Sequence, residues 1–162
     1  MNKISVVIPM YYEEEVAHLC YDRVSTVLKS LSDKYEYEII FVNDGSKDKT
    51  LQILKEIATN DEKAKVISFS RNFGHQAAVT AGLKFVTGDC ILIIDSDMQD
   101  PPELLVDMLK LWEDGNEVIY AKRKTRKGES KFKLMTAKMF YKVLNNLSDV
   151  EIPKDTGDFR LV

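Results

Sequence analysis

The stretch Cys90-Ile-Leu-Ile-Ile-Asp-Ser-Asp97 decides the fold of this chain. Its first five residues are all apolar rather than alternating with polar ones, which predicts a strand buried on both faces. Strands of this kind belong to parallel sheets that helices cover on either side. The acidic residues that follow directly predict a site at the carboxyl end of the strand.

Four further apolar runs predict strands, and apolar residues spaced three and four apart predict helices between them. The predicted strands are Ile4–Ile8, Glu38–Val42, Lys65–Phe69 and Glu117–Ala121; the predicted helices are 16–31, 46–58 with Ser46 as its start, 76–86 and 101–115. This alternation predicts one α/β domain over residues 1–162, with an open, mostly parallel sheet and helices on both faces. Ligands bind such sheets beyond the carboxyl ends of the strands.

The 162 residues carry a net charge of −3, which excludes a protein that bulk positive charge holds on nucleic acid. The charge is unevenly distributed, because residues 122–142 hold nine basic residues and one acid, whereas the remainder carries −11. The basic segment 122–147 predicts an anionic partner, either a phosphate-bearing substrate or an anionic membrane surface. A solvated helix face is the alternative. Ser130–Leu147 has the pattern of an amphipathic helix, which either lies at a membrane interface or covers the sheet.

Neither the N-terminal segment nor any apolar run of the sequence indicates export or membrane insertion. The N-terminus has one basic residue, Lys3, and a short apolar run that ends in acids, which is not the pattern of a signal peptide. No run approaches the roughly 18 apolar residues that a membrane-spanning helix needs. Cys20 and Cys90 lie in apolar patterns and are predicted as small buried side chains. We therefore expect a soluble, intracellular chain.

Polar side chains gather after every predicted strand. In chain order these clusters are Tyr11, Tyr12 and Glu13; Asn43 and Asp44; Arg71, Asn72 and His75; Asp95, Asp97, Gln99 and Asp100; and Lys122, Arg123 and Arg126. Because the carboxyl ends of parallel strands share one edge of the sheet, we expect the five clusters to converge on one rim.

The sharpest of these signals is Asp95-Ser96-Asp97. Two carboxylates at positions i and i+2 reach one hard cation, and oxygen ligands suit Mg²⁺ or Mn²⁺; Gln99 offers a further carbonyl oxygen. An acidic turn before the next helix is the alternative, but the position after a buried strand favours the metal. The chain lacks the glycine-rich loops that hold phosphate by backbone N–H groups, so Arg123 and Arg126 are predicted to bind phosphate beside the metal.

Two features remain open at this point. His75 is predicted to start a helix at the rim, and whether it has a catalytic role there stays open. Asp155–Arg160 is rich in turn formers; it is either a surface turn or a segment that places a carboxylate and a guanidinium beside the rim.

Five motifs, in this order, resemble those of family 2 glycosyltransferases with the GT-A fold. The resemblance is strongest to the polyprenyl-phosphate sugar transferases, the group that contains dolichol-phosphate mannose synthases and bactoprenol glucosyltransferases. It covers essentially all 162 residues and rests on Ile8–Glu13, Asn43–Ser46, Ser70–Gly74, Asp95–Pro102 and Asp155–Arg160. The resemblance implies a Rossmann-like α/β fold.

The resemblance also implies a role for individual positions. Nucleotide sugar is bound by Pro9, Tyr11, Glu13, Asp44 on the base, Ser96, Asp97 and Arg123. The divalent metal is held by Asp95, Asp97 and Gln99, with Asp97 nearest the diphosphate. The acceptor phosphate is bound by Arg126, Lys127 and Arg160, and the catalytic residues are Asp158 and Asp97.

Two positions depart from the family pattern. The family usually has Asn where Tyr12 stands and often Asp where Asn43 stands. Tyr12 therefore alters the contacts of the first loop, whereas Asp44 supplies the aspartate of the second. Family members usually continue into interface and transmembrane helices, so we expect this chain to be the soluble part of a longer protein at the cytoplasmic face of a membrane.

The resulting hypothesis is an inverting transfer of a hexose from a UDP- or GDP-linked sugar to a polyprenyl (undecaprenyl or dolichyl) phosphate, with Mg²⁺ or Mn²⁺ as cofactor. Two alternatives stay open: transfer to a glycan hydroxyl in polysaccharide synthesis, and a nucleotide-binding module without turnover. The partners are the nucleotide sugar, the lipid phosphate and an anionic membrane surface, with no nucleic acid. The sequence leaves the oligomeric state open, a homo-oligomer included.

Overall fold

A computed structural model describes residues 1–122 and 156–162, and of residues 122 and 156–158 the backbone only. The strands in these residues are β1 (Asn2–Met10), β2 (Tyr35–Asn43), β3 (Ala64–Ser68), β4 (Cys90–Ile93), β5 (Ile119–Lys122) and β6 (Thr156–Leu161). The helices are α1 (Ala17–Ser30), α2 (Thr50–Asn60), α3 (His75–Leu83) and α4 (Leu105–Glu113), the last preceded by a 3₁₀ turn at Pro102–Leu104.

The six strands form one sheet in the order β3-β2-β1-β4-β6-β5. The central strand β1 pairs in parallel with β2 and β4, and β2 pairs in parallel with β3. Strand β6 runs antiparallel to β4. The predicted open, mostly parallel sheet is therefore confirmed, and its parallel strands all end at one edge.

The sheet is buried on both faces at its centre. Every residue of β1 from Ile4 to Met10 is buried, although successive side chains point to opposite faces. Helix α1 contributes its buried side chains Cys20, Val24 and Leu28 to the core. Burial raises the pKa of the Cys20 thiol to about 12, so this cysteine is a small apolar core residue as predicted.

Helix α3 lies very close to the sheet. Its Ala78 packs in a cluster with Val7, Ile40 and Val42. A Cβ atom added at Gly82 would lie 2.4 Å from Cγ1 of Val7, so only glycine permits this approach. This close packing holds α3 against β1 and β2.

The observed elements differ from the predicted ones mainly at their ends. The first two strands are longer than predicted, because Pro9 and Met10 continue β1 and Tyr35 begins β2. Helix α2 begins at Thr50 instead of Ser46, since the Ser46 hydroxyl accepts a hydrogen bond from the backbone N–H of Tyr12 instead of capping a helix. Helix α3 ends at Leu83, three residues before the predicted end.

The largest difference concerns the segment near the C-terminus, which is not a surface turn. Residues 156–161 form β6, and Phe159 and Leu161 are buried in the core. Strand β6 pairs Leu161 with Leu92 and Arg160 with Ile93. The alternation of Phe159 and Leu161 outweighs the turn-forming residues before them.

The chain groups into two compact units, Met1–Ile119 with Asp158–Val162, and Tyr120–Gly157. The site described below is built from the first unit. In the described part of the chain, no helix combines the length and the apolar character required to cross a membrane. The predicted amphipathic helix at 130–147 lies outside the described residues.

Candidate active site

A cleft of about 320 Å³ opens where β1, β2 and β4 end and α3 begins. It is lined by Pro9, Met10, Tyr11, Glu13, Asp44, Asn72, His75, Ala78, Asp95, Ser96 and Asp97. Four of the five predicted strand-end clusters thus contribute to one cavity. Arg123 and Arg126 of the fifth cluster lie outside the described residues, as does Lys127.

The turn after β4 presents two carboxylates to the cleft. Asp95 is half-buried, Ser96 is buried and Asp97 is exposed. One carboxylate oxygen of Asp97 (Oδ1) accepts a hydrogen bond of 3.0 Å from the backbone N–H of Gln99, which closes the turn around Met98 in the left-handed region at φ 56°. Gln99 is exposed and does not line the cleft.

The oxygen-rich donor set of this turn suits a hard divalent cation. Carboxylates are the ligands that Mg²⁺ and Mn²⁺ prefer, and Mg²⁺ is commonly bound by one or two carboxylates together with substrate phosphates. Among the described residues, no group of three His, Cys, Asp or Glu side chains could hold a metal ion by itself. Asp95 and Asp97 therefore fit a metal that a substrate phosphate helps to bind.

Asp44, predicted to contact the nucleotide base, uses its carboxylate within the protein. The residue is 3% exposed, and its two oxygens accept hydrogen bonds from the backbone N–H groups of Phe73 (2.7 Å) and Gly74 (2.9 Å). Each oxygen keeps a second lone pair for a ligand. The carboxylate therefore fixes the loop between Asn72 and His75, both of which line the cleft.

Gly45 brings the same two loops together. Its φ is +69°, and an added Cβ atom would lie 2.2 Å from the backbone carbonyl carbon of Arg71. No other residue fits there without moving the backbone. The Arg71 side chain itself is exposed and stacks on the Phe73 ring, with its Cζ atom 4.2 Å from the ring centroid.

His75 is the first residue of α3 and faces the turn after β4. Its Nε2 atom lies 3.7 Å from Oδ1 of Asp95. His75 thus lines the cleft, as predicted. Its imidazole lies beside Asp95, a candidate metal ligand.

The loop after β1 is fastened to the start of α2. The backbone N–H of Tyr12 donates to the Ser46 hydroxyl at 3.0 Å, and that of Glu13 donates to the Thr50 hydroxyl at 2.9 Å. Asn43, the other departure from the family pattern, donates from Nδ2 to Ser68 and accepts from the backbone N–H of Ser46. Its amide therefore supports the neighbouring loops.

Strand β6 directs the C-terminal motif toward the same edge. Arg160 is half-buried and pairs with Ile93. Asp158 lies two residues before Arg160 on the same strand, and Asp95 lies two residues after Ile93. Sequence reasoning missed this strand, and the alternating Phe159 and Leu161 were the signal that could have revealed it.

Comparison with known proteins places the chain in a family. Residues 5–162 match the family model described as Glycosyl transferase family 2. The chain is 51% identical over 158 residues to the uncharacterized glycosyltransferase YkcC of Bacillus subtilis (strain 168), covering 98% of this chain and 48% of the relative. It is 42% identical over 160 residues to a prophage bactoprenol glucosyl transferase homolog of Escherichia coli (strain K12), covering 99% and 52%.

A solved structure shows the same fold. The mannosyltransferase PcManGT of Pyrobaculum calidifontis, determined in complex with GDP-Man and Mn²⁺, matches with a TM-score of 0.64 at 21% identity, covering 89% of this chain and 39% of that one. The predicted GT-A fold class is confirmed. The chain spans about half the length of the curated relatives it matches.

Proposed function

Since the chain belongs to glycosyl transferase family 2, we propose that it forms the catalytic domain of an inverting transferase that moves a hexose from a nucleotide-diphosphate sugar to a polyprenyl phosphate. The observation that carries the proposal is the cleft at the carboxyl ends of the parallel strands, which contains Asp95 and Asp97 beside Tyr11, Glu13 and Asp44. The name of the Escherichia coli relative supports a polyprenyl acceptor and glucose as the first sugar to test.

The nucleoside is proposed to bind along the loop after β1. Pro9, Tyr11 and Glu13 line the cleft together with Asp44. Because Asp44 already accepts two backbone hydrogen bonds, it contacts the base only through its remaining lone pairs. Ser96 is buried and also lines the cleft, between Asp95 and Asp97 in the sequence.

The diphosphate is proposed to bind at the turn after β4, where Asp95, Asp97 and Gln99 would hold Mg²⁺ or Mn²⁺. Such a cation, when bound, stabilises the negative charge that grows on the departing diphosphate. Asp97 is exposed and able to approach the phosphates, while Asp95 is held by its contact with His75. Arg123 would meet the same diphosphate with a guanidinium fork.

The acceptor phosphate is proposed to bind at Arg126, Lys127 and Arg160. A phosphate monoester has a second pKa near 6 and is mostly ionised at neutral pH. The attacking oxygen therefore needs no strong general base. Asp158 accordingly orients the acceptor, and the antiparallel pairing of β6 with β4, the strand that leads to Asp95, supports this role.

The basic segment 122–147 is proposed to face an anionic membrane surface, at the cytoplasmic face where nucleotide sugars are available. Its net charge supports this proposal, because each Lys or Arg near such a surface adds about 1 kcal/mol of attraction.

A transfer assay tests the proposal. The protein is incubated with labelled UDP-glucose or GDP-mannose, Mn²⁺ and a short-chain polyprenyl phosphate, and the product is analysed by mass and anomeric configuration. We expect a polyprenyl-phosphate hexose whose anomeric configuration is opposite to that of the donor. Transfer to a glycan hydroxyl alone would contradict the proposal, and nucleotide binding without turnover would favour a binding module.

Asp158→Asn separates the two acceptor chemistries. A general base contributes about 10²- to 10⁴-fold to a rate. With a phosphate acceptor we expect the variant to lose less than about 10²-fold. A larger loss at unchanged donor KM would show that Asp158 removes a proton, as a hydroxyl acceptor requires. Glu36→Gln, an exposed change on β2, is the matched control and should leave the rate unchanged.

A further inference from the structure

Tyr12 adopts a backbone conformation that a large side chain rarely occupies. Its φ is 57°, in the left-handed region that suits glycine and asparagine, and it is one of two non-glycine residues with positive φ among the described residues. The side chain is 50% exposed, so burial of the ring in the core does not compensate for the strain. Strain of this kind persists where the surrounding structure imposes it, and it concentrates at functional sites.

The surroundings of Tyr12 impose the conformation. Three consecutive backbone N–H groups, those of Tyr12, Glu13 and Glu14, donate to the side chains of Ser46, Thr50 and Asp48. The Glu14 carboxylate in return accepts from the backbone N–H of Lys49 at 2.8 Å. Four hydrogen bonds thus hold the loop against the start of α2 whatever side chain stands at position 12.

The ring of Tyr12 contacts the ring of Tyr11, a residue of the cleft. Its centroid lies 4.6 Å from that of Tyr11, with the two planes at 81°, which is an edge-to-face contact. Tyr11 lines the cleft, whereas Tyr12 does not. Tyr11 is itself 45% exposed, so the Tyr12 ring restricts a side chain that the core restricts little.

We propose that Tyr12 is a positioning residue that holds the Tyr11 ring in the orientation that binds the nucleoside. This inference rests on the proposed function, because it takes Tyr11 as a nucleoside contact. The hydrogen bonds of the loop keep the Tyr12 backbone in the left-handed region. The Tyr12 ring, held in place by that backbone, fixes the orientation of the Tyr11 ring. Tyr12 therefore contributes to nucleotide affinity without touching the nucleotide.

Two substitutions separate the ring from the backbone. Tyr12→Phe keeps the edge-to-face contact and the strain. Tyr12→Asn removes the ring and places in the left-handed region one of the residues best suited to it. We expect Tyr12→Phe to bind nucleotide like the wild type, and Tyr12→Asn to bind about two- to tenfold more weakly, as expected from the loss of one aromatic pair. The Tm of Tyr12→Asn should be no lower than that of the wild type.

The experiment is a calorimetric titration of the wild type and both variants. Each protein is titrated with UDP and, separately, with GDP in the presence of Mn²⁺. Tyr11→Ala and the double variant Tyr11→Ala/Tyr12→Asn complete a double-mutant cycle. If Tyr12 acts through Tyr11, Tyr12→Asn adds no further loss once Tyr11 is alanine.

Several results would overturn the inference. Unchanged affinity in Tyr12→Asn would show that the ring has no role, and equal losses in Tyr12→Phe and Tyr12→Asn would assign the effect to the hydroxyl. A fall in both affinity and Tm would indicate a role in the fold alone. A wild type that binds neither UDP nor GDP would instead refute the proposed function, and the inference with it.

Discussion

The Oδ1 atom of Asp44 lies 2.7 Å from the backbone nitrogen of Phe73, and through this contact the end of β2 holds the loop that leads into α3. The second oxygen accepts from Gly74, at the last position before the helix. One buried carboxylate therefore sets the positions of Asn72 and His75 in the cleft. Asp44 stabilises the site as a structural residue even before any ligand binds.

Asp44→Asn is expected to destabilise the fold. An amide supplies one acceptor oxygen where the two N–H groups need two, so one part-buried donor loses its charged partner at a cost of about 1–3 kcal/mol. For a chain of this size each 1 kcal/mol lowers Tm by about 2–4 °C. Thermal unfolding measures the change, and Asp33→Asn, at an exposed position, is the matched control. Equal Tm values for Asp44→Asn and the wild type would contradict this structural role of Asp44.

Glu38 is expected to make the stability depend on acid. The residue is 2% exposed; burial alone would raise the pKa of its carboxyl, but hydrogen bonds from Lys65, Ser5 and Thr87 lower it to about 2. The unfolded value is 4.5. Because the folded pKa is the lower one, the contribution is complete above pH 4.5 and is lost as the pH falls toward 2. It amounts to about 3 kcal/mol.

Urea unfolding between pH 2 and 6 checks this prediction. Glu38→Gln should be less stable than the wild type at pH 6, and the difference should shrink as the pH falls through the window from 4.5 to 2. Glu36→Gln, two residues earlier on β2 and at an exposed position, should follow the wild type throughout. A constant difference between Glu38→Gln and the wild type would refute the lowered pKa.

Asp97→Asn is expected to weaken metal binding while sparing the fold. The substitution keeps an oxygen acceptor for the backbone N–H of Gln99 but removes the charge. With UDP or GDP present, we expect the affinity for Mn²⁺, followed by electron paramagnetic resonance, to fall at least about tenfold, the loss of one charged ligand. Asp114→Asn, also exposed, is the control. Unchanged Mn²⁺ affinity in Asp97→Asn would remove Asp97 from the proposed metal site.

The sheet could be predicted from local sequence because its central strands are continuous apolar runs. Cys90–Ile93 and the centre of β1 are buried on both faces, and their apolar residues follow one another without alternation, which predicts that burial. Convergence of the polar clusters followed from the topology. The cleft confirmed it for the four clusters that the structure describes.

Other features could not be predicted from local sequence, because they depend on contacts with residues far away along the chain. Strand β6 exists because Phe159 and Leu161 pack beside β4, about 70 residues earlier, whereas locally Gly157 and Asp158 resemble turn formers. Ser46 did not start a helix because Tyr12 already uses its hydroxyl. The strained backbone of Tyr12 follows from those same distant contacts.

Binding of a nucleoside diphosphate tests the central claim most directly. The 162-residue chain is heated with Mn²⁺ and either UDP or GDP, with EDTA-treated samples as controls. At a concentration about 100 times Kd, a ligand that binds the folded state stabilises it by about 2.7 kcal/mol, which raises Tm by about 5–10 °C. We predict this rise for at least one of the two nucleotides, and its loss with EDTA. If neither UDP nor GDP raised Tm with Mn²⁺ or Mg²⁺, the account of a nucleotide-sugar site would be wrong.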